Sequence, residues 1–188
     1  MSLPLPTSGR KLKHTRAVHI EVFARDDGMW DIDARLTDTK TYAIPLTHGE
    51  LPANQPIHDL CLRITVDSKS NIVDAVAVSD AVPFPGYCDQ VDTIYKKMIG
   101  LNLLSGFRQE IRERLSGVEG CTHLNELAMI LPTAAIQSFA FGDFEKRKDP
   151  GGHSENEKPF ELDNCHALRS DSPAVALYYP RWATKPKA

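Results

Sequence analysis

The chain has 188 residues, of which 41% are hydrophobic, 25% charged and 7% aromatic. This composition is typical of one globular domain or two small modules, and it excludes large barrels, repeat arrays and disordered chains. The 22 Lys and Arg residues against 25 Asp and Glu give a formal net charge of −3. Because proteins that follow phosphate backbones carry a basic excess, we expect no nucleic-acid partner.

The N-terminal residues do not form the pattern of a secretion signal, because their basic side chains follow the apolar ones. No stretch approaches the roughly 18 consecutive apolar residues of a membrane span. None of the four cysteines belongs to a Cys-x-x-Cys pair. The sequence therefore predicts a cytoplasmic protein without a membrane partner, whose cysteines are thiols, metal ligands or reactive groups.

Four segments follow from the distribution of polar and apolar residues. They are a flexible arm at 1–13, a core domain at 14–144, a polar loop at 145–160 and a C-terminal segment at 161–188. We expect the last segment to pack back on the core. Its apolar run at 175–179, stopped by Pro180, indicates a further edge strand.

Alternating apolar and polar residues predict strands at 18–23, 30–37, 60–66 and 72–78. The first two flank a turn at Gly28, and the last two are joined by a short polar turn, so neighbouring strands should be antiparallel. A loop rich in proline and polar residues, from Pro45 to Pro56, separates the two pairs.

Helical spacing follows in the second half of the chain. It predicts a helix from Val91 toward Leu104, whose end Gly100 leaves open, and a second helix at 107–115. A third helix begins with Thr122 as its N-cap, and Pro132 should kink or interrupt it before it continues through 134–141. Strands followed by helices predict an α+β fold, with an antiparallel sheet from the N-terminal half and about three helices on one face.

The segment Gly120-Cys-Thr-His-Leu-Asn-Glu126 carries the most chemistry. A cysteine in the first turn of a helix is near unpaired N–H groups and the positive end of the helix dipole, which favour the thiolate. His123 and Glu126 are three residues apart and can meet on the helix surface. The alternative is a packed thiol beside a histidine paired with a carboxylate.

Cys88 has a similar place, after a turn and before a helix. Cysteine and histidine are ligands that select zinc or iron over magnesium or calcium. We therefore predict a zinc or iron site formed by Cys88, Cys121 and His123, with His58 as a fourth ligand. Taken singly, Cys88 also fits a packed thiol and His58 a loop histidine.

Five aspartates surround the first hairpin, without the spacing of a calcium loop: Asp26, Asp27, Asp31, Asp33 and Asp38. A solvated strand face explains most of them, and ion pairs with nearby arginines explain the rest. The more specific hypothesis is that Arg16, Arg25 and Arg63 orient a small anionic molecule. In a catalytic version a metal would polarise water or a carbonyl, with Glu126 or Asp59 relaying a proton.

Several strings together resemble the bacterial family called domain of unknown function 2889. They are Lys13-His-Thr-Arg16, Arg25-Asp-Asp-Gly-Met-Trp-Asp31, Asp38-Thr-Lys40, His58-Asp59 with Arg63, Cys88 and Gly120-Cys-Thr-His-Leu-Asn-Glu-Leu127. The resemblance covers about residues 10–180 and implies a small bacterial cytosolic protein without an established activity.

The leading hypothesis is a cytosolic protein that binds zinc or iron and a small anion. One alternative is an accessory or assembly subunit of a larger enzyme. Another is a metal-free enzyme that uses the thiol of Cys121.

Overall fold

The structure, a computed structural model, describes residues 3–141, 158–159 and 161–185. The chain divides into two compact units, Met1–Phe139 and Ala140–Ala188. The first unit holds an antiparallel sheet and helices, so the predicted α+β class is confirmed. Most of the predicted polar loop at 145–160 lies outside the described residues.

The first unit contains six strands: β1 (His14–Ala24), β2 (Trp30–Lys40), β3 (Ile44–Leu46), β4 (Gly49–Leu51), β5 (Pro56–Val66) and β6 (Ile72–Ala81). The main sheet has the order β1-β2-β5-β6, with every neighbouring pair antiparallel. The loop predicted between Pro45 and Pro56 is partly wrong, since β3 and β4 form a small hairpin there.

The turn between β1 and β2 depends on Gly28. Its φ of +82° is in the left-handed region, which glycine adopts without a Cβ clash. The Gly28 N–H donates to the Arg25 carbonyl at 3.1 Å, and the Arg25 N–H donates to the Met29 carbonyl at 2.9 Å. The chain therefore reverses at the predicted position, and all 11 residues of β1 pair with β2.

Helices follow the sheet: α1 (Asp92–Tyr95), α2 (Phe107–Leu115) and α3 (Thr122–Phe141). The helix predicted from Val91 toward Leu104 is much shorter in the structure. A 3-10 turn at Lys96–Met98 follows α1, and the prediction is wrong for the residues after it. Gly100 has a φ of +87°, and its N–H donates to the Ile72 carbonyl at 2.8 Å, which ties this segment to β6. The α2 prediction is confirmed.

The third helix begins at Thr122, so the prediction of Thr122 as its N-cap is wrong by one residue. The cap position is that of Cys121, whose carbonyl accepts from the Asn125 N–H at 2.9 Å. The helix continues through Pro132 to Phe141 without interruption. Pro132 is buried, so its ring packs in the interior.

One hydrophobic core lies between the sheet and the helices. Fully buried strand residues such as Ile32, Leu62 and Ile64 pack in the same cluster as Ile111 and Leu124 from α2 and α3. The buried apolar positions of β2 and β5 are even-numbered, because alternate side chains point to opposite faces. In β1, β2 and β5 the even-numbered positions therefore form the core face, and the odd-numbered ones form the open face.

The second unit contains the helix α4 (Pro173–Tyr178). The edge strand predicted at 175–179 is therefore wrong. Ser172 caps the helix by accepting from the Val175 N–H at 3.2 Å, and Pro173 occupies the first turn, where its missing N–H costs nothing. Packing of this segment on the core stays a prediction. Within the described residues, none of the helices has the length and apolarity needed to span a bilayer.

Candidate functional site

Three polar residues occupy core-face positions at one end of the sheet. Asp38 continues the series of buried residues at 32, 34 and 36 in β2. The strand register places Arg16 of β1 on one side of Asp38 and His58 of β5 on the other. A polar row therefore crosses three strands where the apolar core ends.

The carboxylate of Asp38 accepts from three side chains. His14 Nε2 lies 2.7 Å from Oδ1, and His58 Nδ1 lies 3.1 Å from Oδ2. Arg16 donates to both oxygens, each at 2.9 Å, in a bidentate ion pair. Because an ionised carboxylate offers about four acceptor sites, these contacts use its whole capacity.

Asp38 is only 3% exposed. Burial alone would raise the pKa of its carboxyl group, but the hydrogen bonds from Arg16 and His14 outweigh burial and lower the pKa to about 2. The group is therefore a permanent anion near neutral pH. The aspartate run was predicted to be mostly a solvated face, and Asp38 is the exception.

The N-terminus of α3 meets this row from the helix layer. The fully buried Tyr95 fixes its position, because its hydroxyl lies 2.9 Å from the Cys121 carbonyl oxygen and 2.7 Å from Asn125 Oδ1. The Cys121 N–H donates back to the same hydroxyl at 3.2 Å. Burial, and then the nearby Cys121, raise the pKa of Tyr95, so it stays a neutral hydrogen-bonding group.

Gly120 allows the close approach that sets this helix start. A Cβ on Gly120 would lie 2.6 Å from the Leu115 carbonyl oxygen. We expect Gly120→Ala to shift the start of α3 and lower the free energy of unfolding by about 1–3 kcal/mol in urea titrations. Gly9→Ala, with open space around the added methyl, is the control and should match wild type. Equal stability of the two variants would contradict the prediction.

The helix start brings His123 onto His58. Their ring centroids are 3.9 Å apart with the planes 36° from parallel. Burial, followed by the neighbouring His123, lowers the pKa of His58, with Asp38 acting in the opposite direction. Burial and the neighbouring His123 thus both favour the neutral imidazole of His58, which is the form that binds metal ions.

One ligand atom each from Asp38, His58 and His123 lies within 4.8 Å of the other two. Glu126 lies at the solvent-exposed edge of this group of residues. Its Oε2 accepts from Arg16 Nη1 at 2.6 Å, and its side chain is 57% exposed. We call these residues, together with His14 and Arg16, the Asp38 cluster.

Cys121 lies beside this cluster, with its Sγ 3.9 Å from His123 Nδ1. Of the predicted metal ligands, the structure thus brings together His58 and His123, with Cys121 adjacent. Cys88 follows a turn in which its N–H donates to the Phe84 carbonyl at 3.0 Å. Neither cysteine belongs to a three-residue ligand group in the described part of the chain, and their ligation stays a prediction.

The three arginines predicted to orient an anion do not converge. Arg16 holds Asp38, whereas Arg25 pairs with Asp27 at 2.7 Å and Arg63 forms a bidentate pair with Asp33. Arg25 is nine positions beyond Arg16 in sequence, about 30 Å along an extended strand. Each arginine already holds a carboxylate of the protein itself, and a role of these arginines in orienting an anion stays a prediction.

Asp59, the other predicted proton relay, belongs to the open face. It follows His58 on β5, so its side chain points to the opposite side, where Arg35 holds it in a bidentate pair. Asp59, Cys61 and Asp80 form a second group of adjacent ligand atoms. Burial raises the pKa of the Cys61 thiol, which disfavours the thiolate that binds metals, and Asp80 is exposed, so we assign this group no metal.

Asp38 and His14 are the members of the cluster that the sequence interpretation missed as site residues. A signal for Asp38 exists, because it shares the alternation phase of Ile32, Ala34 and Leu36. Arg16 and His58 share the phase of apolar residues in their own strands in the same way. Charged residues in the buried phase at the ends of neighbouring strands indicate a shared polar site.

The fold and the cluster define an α+β protein with a buried carboxylate–arginine–histidine site between the end of its sheet and a helix N-terminus. The chain belongs to the family described as "Protein of unknown function (DUF2889)", which matches residues 14–137. This range contains every residue of the Asp38 cluster. Comparisons with curated proteins and with solved structures gave no match.

Proposed function

We propose that the protein binds one transition-metal ion, zinc or iron, through Asp38, His58 and His123. The observation that carries the proposal is the mutual approach, within 4.8 Å, of one ligand atom from each residue. Two histidines and one carboxylate are a ligand set that suits iron(II) or zinc and leaves coordination positions open.

The ion would take the place of the proton between His58 and Asp38. Two ligand atoms about 2.1 Å from one metal ion are roughly 3.0–3.4 Å apart. His58 Nδ1 and Asp38 Oδ2 are 3.1 Å apart, which fits this range. His14 and Arg16 would continue to orient the carboxylate through their hydrogen bonds, as the hydrogen-bonding partners of metal ligands do.

The charge of the site supports a cation. Asp38 and Glu126 bring two carboxylates and Arg16 one permanent positive charge, so with neutral histidines the cluster is an anion. In a catalytic version the metal would polarise water or a carbonyl oxygen. Glu126, at the exposed edge, is the carboxylate best placed to accept a proton.

Metal titration of untagged, chelator-treated protein tests the proposal. We expect one zinc or iron(II) ion per chain by calorimetry, and at least about 100-fold weaker binding in His58→Gln and His123→Gln. His19→Gln is the matched control, since His19 is exposed on the open face and should leave affinity unchanged. Equal affinity of all three variants, or binding no tighter than about 100 μM, would refute the site.

Cobalt(II) substitution separates this ligand set from the one predicted from sequence. Thiolate-to-cobalt charge transfer should be absent if only Asp38, His58 and His123 ligate. Cys88→Ser should leave affinity unchanged, whereas a band that disappears in Cys121→Ser would add Cys121 to the ligands.

The 3.9 Å separation of Cys121 Sγ and His123 Nδ1 favours one other function, that of a metal-free thiol enzyme. A thiol within reach of an imidazole is the nucleophile–base arrangement, which is often loose without substrate. Stoichiometric alkylation of Cys121 at neutral pH, faster than that of Cys165, would support it.

As part of the main proposal we place the protein in the bacterial cytosol, where its four free thiols would remain reduced.

A further inference from the structure

The strand β1 forms one edge of the main sheet. It pairs along its full length with β2, and in the described residues no strand pairs with its outer edge. Open edges attract other strands, and proteins block them with lysine, proline or bulges. β1 contains no lysine or proline, and its register with β2 runs from His14 to Ala24 without a bulge.

The core face of β1 is apolar from Val18 to Val22 and incompletely covered there. Ile20 and Val22 are half-buried against the core, and Val18 is 45% exposed. These three residues stand in the row that continues the hydrophobic core toward the edge. A strand added to β1 would therefore extend an existing core and cover this row.

We propose that β1 pairs antiparallel with β1 of a second copy of the chain, around a two-fold axis at Ile20. Residues that face each other across a strand pair point to the same side of the sheet. This register joins the following residues of the two copies: Val18 with Val22, Ile20 with Ile20, His19 with Glu21, and Ala17 with Phe23. The two sheets become one continuous sheet with an isologous interface.

Complementary side chains select this register. The core face carries only valine and isoleucine pairs near the axis, and the open face carries two His19–Glu21 pairs. An axis at His19 would instead place the two His19 rings against each other and Arg16 against Val22. An axis at Val18 would place Arg16 against Ile20, so of these three axes the one at Ile20 alone joins apolar with apolar and base with acid.

Sedimentation velocity and light scattering of the full chain test the dimer. We expect a mass twice the 20.9 kDa of one chain at micromolar concentration. Val18→Lys should weaken the dimer at least about 10-fold, because it places an edge lysine in the paired strand. Val73→Lys, on β6 at 42% exposure, is the matched control and should leave the mass unchanged.

A charge exchange tests the register. His19→Glu places carboxylates opposite each other at both symmetric positions and should dissociate the dimer, whereas His19→Glu with Glu21→His restores opposite partners and should restore it. Circular dichroism checks that each variant is folded. A monomeric wild type, a dimer that Val18→Lys leaves intact, or a charge exchange without restoration would overturn the proposal.

Discussion

Replacing Asp38 by asparagine is expected to lower the free energy of unfolding by about 2–4 kcal/mol. The amide keeps the shape of the carboxylate but removes the buried charge to which Arg16 and His14 are hydrogen-bonded. Two of the four donors then meet an amide nitrogen, which is itself a donor. Urea unfolding followed by circular dichroism measures the loss.

Asp27→Asn provides the matched control. Asp27 also accepts two N–H groups from one arginine, Arg25, but its side chain is 44% exposed. Surface ion pairs contribute at most about 1 kcal/mol, so this variant should remain close to wild type. If both substitutions lower the free energy of unfolding equally, burial of the Asp38 carboxylate is not the reason for the effect of Asp38→Asn.

Acidification of the metal-free protein is expected to lower stability in two steps. The pKa of His58 is lowered in the folded state, so the unfolded chain binds the proton more tightly. Stability is then fully present above about pH 6.5 and falls as the pH drops through the folded pKa of His58. The pKa of Asp38 is lowered to about 2, so a second loss, of about 2 kcal/mol, occurs between about pH 4 and pH 2.

Unfolding free energies measured in urea at intervals from pH 8 to pH 2 distinguish the two steps. His58→Gln should remove the upper step, which begins below about pH 6.5, and leave the lower one. Asp38→Asn should reduce the step below pH 4. A wild-type profile that is flat between pH 7 and pH 5 would contradict the first assignment.

The sequence predicts the main sheet and the long helices because their signals are local. Alternation identifies β1, β2, β5 and β6, and helical spacing identifies α2 and α3. The shortened α1 depends instead on a contact between Gly100 and Ile72, which are 28 positions apart. At α4, the cap signal of Ser172-Pro173 was present, but the β-branched and aromatic run after it favoured a strand.

The site is predictable only in part. His58 and His123, two of the predicted ligands, are neighbours in the structure, since each stands near an element end that the fold brings to the same place. The alternation in β2 puts Asp38 on the same face as Ile32, Ala34 and Leu36. This indicates a buried Asp38 only once that face is known to be the core face. Which atoms meet around Cys88 depends on how two helix starts pack, and no local pattern determines that distance.

The ion pair between Arg16 and Glu126 joins residues 110 positions apart. The site therefore exists only after the first strand and the last helix of the first unit have docked, which is a late event for contacts of such long sequence separation. A metal ion held there would bind the completed fold and not its partly folded precursors. By mass action, it would stabilise the folded chain by an amount that grows with its free concentration.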